Sequence, residues 1–291
     1  MMPMPGRWLS CALMRCGSSL TLVDCGEGTQ VPWKSLGWGF RQLGAICFTH
    51  MHADHVAGLP GVLFMVAHAG RTEPLDIYGP AGTNYVLEGL RRIVPELPFP
   101  VQVHELKSGE HFPLPGELQG SCVAAAHGIP CLAYRFELGR NPAFLPERAQ
   151  SLGLPVQLWS RLQRGETLVY DGQTITPDQV LGPLRRGISV AFITDTRPTQ
   201  QLSTFAHDVD LLICESMYDN AEDLPLAKAH AHMLAAEAAH IAQVAGAHSL
   251  LLTHFSPKIT DPSGPEKAAR QVFANTRAAR DGLVVTLEYE S

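Results

Sequence analysis

The sequence lacks any apolar run approaching the roughly 18 residues that a membrane-spanning helix requires, which argues against a helical integral membrane protein. It also lacks a basic region followed by an apolar one near its start, where Met2-Pro3-Met4-Pro5 stands, so no secretory signal is expected. No Cys-x-x-Cys pair occurs. The seven cysteines are scattered as Cys11, Cys16, Cys25, Cys47, Cys122, Cys131 and Cys214, an odd number that fits reduced thiols in a cytoplasmic protein better than a disulfide framework. Basic charge is scarce too. A formal net charge of −6 argues against a non-specific nucleic-acid coat, although it leaves room for a local basic patch. Internal repeats and low-complexity tracts are absent, which excludes a solenoid or a linker-dominated chain.

What is plentiful is histidine, with 13 in 291 residues and several in tight groups. Short apolar, β-branched runs alternate with longer amphipathic ones. The patterns predict strands over 20–25, 45–49, 75–78, 101–106, 121–126, 132–138, 188–194, 210–214, 249–253 and 283–289. They predict helices over 54–69, 81–94, 226–245 and 265–278. Such mixed order points to a layered α/β protein, with 1–291 as one domain.

Residues 139–171 differ. They are rich in Pro, Gly, Arg and Leu and show no clean period. Between residues 134 and 164, Arg135, Arg140, Arg148, Arg161 and Arg164 stand against only Glu137 and Glu147. In an acidic chain this is a basic excursion. The pattern alone fits a solvated loop or an inserted basic arm equally.

The chemistry-bearing run is Thr49-His50-Met51-His52-Ala53-Asp54-His55, placed between an apolar strand and an apolar helix. Imidazole and carboxylate suit zinc and similar divalent ions. His50 and His52 are two apart, so an extended loop aims both the same way, while Asp54 and His55 fall at the helix start. Four ligand-type groups in six residues serve a metal better than a core, where each would need its own partner. One turn cannot close two metal shells. His127, Asp195 and His254 each follow a predicted strand, and their shared placement makes them the further candidates.

With these residues in place, the chain resembles ribonuclease Z, the metallo-β-lactamase-fold endonuclease that trims the 3′ end of precursor tRNA. The likeness runs through Asp24-Cys25-Gly26-Glu27-Gly28-Thr29-Gln30, the histidine run with Gly58-Leu59-Pro60-Gly61, His127-Gly128-Ile129-Pro130 and Leu181-Gly182-Pro183. It continues through Thr194-Asp195-Thr196-Arg197-Pro198, Cys214-Glu215, His232 and Thr253-His254-Phe255-Ser256. The resemblance implies a four-layer αβ/βα sandwich, here expected to lack the family's first N-terminal strand. It implies two divalent ions, zinc or alternatively manganese: one on His50, His52 and His127, the other on Asp54, His55 and His254, with Asp195 bridging. Asp24 would orient the ligand loop. Asp54, Glu215 and His232 are the implied catalytic residues, His232 as proton donor to the leaving group and Glu215 as its orienter. The arm, 139–171, would grip tRNA through Arg140, Arg148, Arg161 and Arg164, with Trp159 or Phe144 packing. A homodimer is expected, with no membrane partner.

Two other functions compete. One is a phosphodiesterase of the same fold acting on another nucleic acid or a small phosphodiester. The other is a binding or scaffold protein that kept the fold without turnover. The full ligand set weighs against the scaffold, and the basic arm favours tRNA over a small ester. Pro155-Val156-Gln157-Leu158-Trp159 replaces the arm's usual Gly-Pro pair, and Pro3-Met4-Pro5-Gly6-Arg7-Trp8 stands where the family reads the tRNA end. Both departures touch substrate recognition, and neither removes a metal ligand.

Overall fold

A computed structural model of the chain describes residues 2–94 and 96–290. The first sheet takes β1 (Ala12–Cys16), β2 (Ser19–Val23), β3 (Leu43–Cys47), β4 (Leu75–Gly79) and β5 (Val101–Glu105), side by side in that order. β1 and β2 form a tight hairpin whose turn needs the left-handed backbone of Gly17. From β2 onward all neighbours are parallel, so their C-terminal ends share one edge. The chain continues through β6 (His111–Pro113), β7 (Leu118–Ala124), β8 (Leu132–Arg140), the small hairpin β9 (Leu168–Tyr170) with β10 (Gln173–Ile175), and β11 (Arg185–Ile193). It closes with β12 (Leu211–Glu215), β13 (Leu250–Thr253) and β14 (Thr276–Ala278). The second sheet has the order β14-β13-β12-β11-β8-β7-β6, and β11 to β14 are parallel.

Each sheet buries one face under helices. Leu22, Ile46 and Ile77 of the first pack with Trp33, Leu59, Leu63 and Leu87 from three helices. Leu212, Cys214 and Leu252 of the second pack with Leu202, Ile241 and Ala269. The inner faces meet through Tyr78 stacked on Phe112, which meets Tyr134 edge to face, and the Tyr134 hydroxyl donates to the Phe48 carbonyl at 2.7 Å. Layering of this kind removes both faces of nearly continuous apolar strands from water, as parallel sheets require.

The chain divides into two compact units, Met1–Glu137 with Ser189–Thr286, and Leu138–Ile188 with Leu287–Ser291. The second unit contains all of 139–171. It is not a solvated loop: Ala149, Leu154, Leu162, Leu168, Ile175 and Val180 form its own core under the helices Pro146–Ser151 and Val156–Gln163. Trp159 and Phe144 pack on that core with ring centroids 5.2 Å apart.

Several expected elements are corrected. The helix expected over 54–69 is two, Ala53–Val56 and Leu59–His68. Gly58 interrupts it because the backbone there lies against Gly26, donating to the Cys25 carbonyl at 2.8 Å, and a Cβ would sit 2.0 Å from the Gly26 oxygen. The helix expected over 226–245 is also two, Leu224–Ala229 and Ala235–Ala245, parted at Ala231 with φ 55°. Alanine-rich periodicity runs across that break and hides it. The helix expected over 265–278 ends at Arg270, and the last strand is Thr276–Ala278, not 283–289. Val284 and Val285 imitate a strand but stay exposed, without a neighbouring strand to pair.

Candidate metal centre

Asp24 follows β2 directly, Glu215 ends β12, His254 follows β13 directly, and Asp195 stands two residues past β11. Parallel strands thus deliver four site residues to their C-terminal edges, the usual place for ligands in open α/β sheets. Asp24, Asp195 and His254 have φ of 56°, 46° and 55°, in the left-handed region that non-glycine residues rarely adopt. Each such residue costs roughly 1–3 kcal/mol, and that cost turns the side chain sharply out of the strand.

The expected ligands converge. His50 Nε2 lies 3.0 Å from His52 Nδ1, which lies 3.3 Å from His127 Nε2. His55 Nε2 lies 3.1 Å from His254 Nε2, and Asp54 Oδ2 is 3.6 and 3.7 Å from these two nitrogens. Asp195 stands between the sets, with Oδ2 3.6 Å from His50 Nε2 and Oδ1 3.4 and 3.1 Å from His55 and His254. Donor atoms of His50, His52, His127 and Asp195, and of Asp54, His55 and His254, lie within 4.8 Å of one another in each group.

Outer hydrogen bonds decide which nitrogens face inward. The Asp24 carboxylate is wholly buried and can only accept. It takes the Thr49 backbone N–H at 2.8 Å, the Thr49 hydroxyl at 2.9 Å and the His55 Nδ1–H at 2.8 Å. Because Thr49 spends its proton on Asp24, its oxygen can only accept from His50 Nδ1, 3.1 Å away. His127 Nδ1 faces the Ala231 carbonyl at 3.3 Å, another pure acceptor. His50, His55 and His127 therefore carry their protons on Nδ1 and present Nε2 lone pairs to the cluster when neutral. That is how a histidine is oriented for a divalent ion.

Charge follows the same layout. Burial, with repulsion from His55, pushes the His50 imidazolium down to about 2, so His50 stays neutral. Burial also opposes a charge on His55, but Asp195 and Asp24 outweigh it and hold its pKa well above the ordinary value. Burial works against ionised Asp54 too, and His254 and His55 override it, keeping the carboxyl below its usual range. Imidazole nitrogens crowd one another at 3.0–3.3 Å, and lone pairs at that distance repel unless a proton or a cation lies between them. The donor set, imidazole with carboxylate, therefore fits divalent metal.

Beside this cluster, His232 sits on the loop between two helices, not on a helix. Its Nδ1 is 3.1 and 3.2 Å from the Glu215 oxygens and 4.0 Å from Asp195 Oδ2. Burial lowers the His232 pKa, but Glu215 outweighs it and the net shift is upward. Glu215, fully buried, also accepts the N–H of Thr196 at 2.6 Å and of Met233 at 3.1 Å. His230 and His240 are exposed and lie outside the constellation.

The arginines expected on the arm divide. Arg140 donates to the Glu290 carbonyl and lies over the Tyr289 ring, 5.0 Å from its centroid. Arg148 reaches the Leu181 carbonyl at 3.5 Å, and Arg161 and Arg164 share Glu166 at 2.7 and 3.4 Å. Arg135 belongs to the first unit, tied to the Phe205 and His207 carbonyls. Residues that sequence reading passed over are Thr49, Thr194 and Arg197. The Thr194 hydroxyl donates to Asp195 at 2.6 Å. All three lie inside the motifs, but only their side-chain contacts show their work.

The chain is similar to known proteins over nearly its whole length. A family model described as beta-lactamase superfamily domain matches residues 21–184. Ribonuclease Z of Lachnoclostridium phytofermentans is 41% identical over 290 residues, covering 100% of this chain and 95% of that protein. Ribonuclease Z of Agathobacter rectalis is 42% identical over 294 residues, covering 100% and 96%. Among solved structures, the short form of human tRNase Z superposes with a TM-score of 0.69 at 22% identity, over 98% of this chain and 95% of that one. A metallo-β-lactamase-fold protein of Bacillus subtilis superposes at 0.67, also 22% identical, over 97% and 92%.

Proposed function

Because the chain belongs to the ribonuclease Z family of the metallo-β-lactamase superfamily, we propose that it is a metal-dependent endoribonuclease that removes the 3′ trailer from precursor tRNA. The observation that carries this reading is the His232–Glu215 pair, 3.1 Å apart, beside the seven-residue ligand cluster. A cluster alone suits many hydrolases. A proton donor poised next to it suits a reaction whose leaving group is a poor one, such as a ribose 3′ oxygen.

His50, His52 and His127 would hold one divalent ion, Asp54, His55 and His254 a second, and Asp195 would serve both, with zinc favoured by the donor set. Such ions lower the pKa of bound water toward neutrality and stabilise charge on phosphoryl oxygens. The chain's own residues do the rest. Asp24 and Thr49 lock His50 and His55 so that Nε2 faces the substrate side. Glu215 takes the His232 Nδ1–H and keeps the ring protonated toward neutral pH, so that its other nitrogen can deliver a proton to the departing oxygen. The upward shift means the acid form is present below the raised pKa and lost as pH climbs through it. Arg148, Arg161 and Arg164 supply phosphate contacts that position the tRNA body.

A homodimer is part of the proposal. Val31 and Phe64, on neighbouring helices, each keep 44% of their surface exposed and offer an apolar patch to a second copy. Sedimentation checks it. Seven free thiols, five of them buried, favour a reducing compartment, the cytoplasm. No helix is long and apolar enough to cross a membrane among the described residues.

The test is incubation of metal-loaded protein with a 3′-extended precursor tRNA and with bis(p-nitrophenyl) phosphate. Release of the trailer as one fragment is the expected result. Hydrolysis of the small ester alone overturns the tRNA assignment.

A further inference from the structure

Arg197 is two residues from Asp195 and belongs to no ligand group, yet it joins three parts of the site. Its backbone N–H donates to Ala126, next to His127, at 3.0 Å, and Ala126 in turn donates to the Thr196 hydroxyl at 2.7 Å. Its guanidinium donates to the carbonyl of His232. The same guanidinium grips Glu237 with two nitrogens, one of them at 2.9 Å. Glu237 also accepts the Leu234 N–H at 3.0 Å, so it closes the start of the helix Ala235–Ala245.

From these contacts we infer that Arg197, clamped by Glu237, is a positioning residue for His232, and that it acts on leaving-group protonation specifically. The inference rests on the general-acid reading of His232 above. The N–H of His232 donates to the Ala227 carbonyl at 2.8 Å and the Met233 carbonyl accepts from Tyr218 at 3.3 Å, which leaves the His232 carbonyl to Arg197. Ala231 sits at φ 55°, a conformation that persists only where surroundings over-determine it. Glu215 fixes the His232 ring and the Met233 N–H. It leaves the peptide carbonyl of His232 free to swing, and Arg197 is what holds that carbonyl. An arginine suits the task because one planar fork can bind a carboxylate with two donors and still reach a carbonyl. Arg197 and Glu237 are 21% and 24% exposed at their side chains, sheltered enough to make a stiff strut. A proton donor must lie within about 2.6–3.2 Å of its target, so a loop displaced by an ångström loses its function while the ligand cluster remains.

The test uses substrates that differ in leaving group. The ribose 3′ oxygen needs a proton, and nitrophenolate leaves without one. In metal-loaded protein, Arg197→Ala should lower kcat on precursor tRNA by about tenfold to a hundredfold, the range for a displaced catalytic group. KM should change little. The loss on bis(p-nitrophenyl) phosphate should be at least about tenfold smaller, matching the selectivity of His232→Ala. Arg197→Lys, which can keep the single bond to the carbonyl, should recover part of the rate. In the double variant with His232→Ala, the Arg197 change should add almost nothing. A readout independent of turnover is amide exchange in the metal-free protein, where the N–H groups of residues 232–234 should exchange faster in Arg197→Ala.

Equal losses on both substrates would mean that Arg197 supports the ligand cluster, and this overturns the inference. So would additive losses with His232→Ala, or unchanged exchange at 232–234. If His232→Ala itself shows no leaving-group selectivity, the general-acid assignment beneath the inference falls with it. If only Arg197→Ala lacks the selectivity, the Arg197 role falls alone.

Discussion

At the scale of the residue, Asp24 shows how one buried carboxylate governs a site it does not enter. Its oxygens accept from the Thr49 amide, the Thr49 hydroxyl and His55, and the hydroxyl in turn fixes the tautomer of His50. Replacing Asp24 by Ala strands a buried backbone N–H and frees two histidine rings. The expected cost is about 3 kcal/mol or more of stability, measured by urea unfolding. Thr49→Val is subtler. It keeps the shape, removes the acceptor for His50 Nδ1–H, and should weaken metal binding about tenfold while leaving the fold intact; titration with zinc against a chelating indicator checks it. Asp195 and His232 should separate cleanly. Asp195→Ala removes the group nearest to both ligand sets and should lose metal and activity together. His232→Ala should retain metal content equal to the parent's and lose rate on precursor tRNA by about a hundredfold or more, within the range for general acids. Metal loss in His232→Ala would show that the residue is a ligand instead.

At the scale of the element, the second unit separates arginines that bind the chain itself from those left for a ligand. Arg140 is engaged with the tail, where Tyr289 also donates its hydroxyl to the Gly139 carbonyl at 3.0 Å. Arg161 and Arg164 are 49% and 64% exposed at their side chains and share one glutamate, which leaves positive charge over. Neutralising Arg148, Arg161 and Arg164 together should raise KM for precursor tRNA and reduce the salt slope of binding by roughly 2–3. Hydrolysis of bis(p-nitrophenyl) phosphate should stay within about twofold of the parent rate, because a small ester has no second phosphate for these arginines to contact. An unchanged salt slope would remove these arginines from the tRNA contacts. Neutralising Arg140 should instead act on stability, read as a lowered unfolding midpoint of the second unit.

At the scale of the whole molecule, the candidate ligand cluster draws on both sheets. His50, His52, Asp54 and His55 follow β3 of the first sheet, and Asp195 and His254 follow β11 and β13 of the second. A ligand that binds only the folded form stabilises it by about 4 kcal/mol at a thousandfold excess over its Kd, so chelation should lower Tm by several degrees, and zinc should restore it. An unchanged Tm would mean that the cluster holds no ion in the folded protein. The sequence by itself determined the layered architecture, because apolar strands and amphipathic helices bury their faces in few ways, and it drew attention to the ligand-type side chains, because four of them crowd into His50–His55. It determined the family as well, through motifs spread along nearly the whole chain. Tertiary structure alone decided where the helices break. Gly58 must lie against Gly26, and the left-handed Ala231 must carry His232 to Glu215, and neither demand leaves a mark on local periodicity. It alone decided that 139–171 has a core of its own, since that core gathers Ala149 and Val180 from outside any single periodic stretch. It alone decided the tautomers of the histidines and the strut from Arg197 to His232, because both depend on hydrogen bonds between residues that are far apart in the chain and close only once the strands of each sheet have come together.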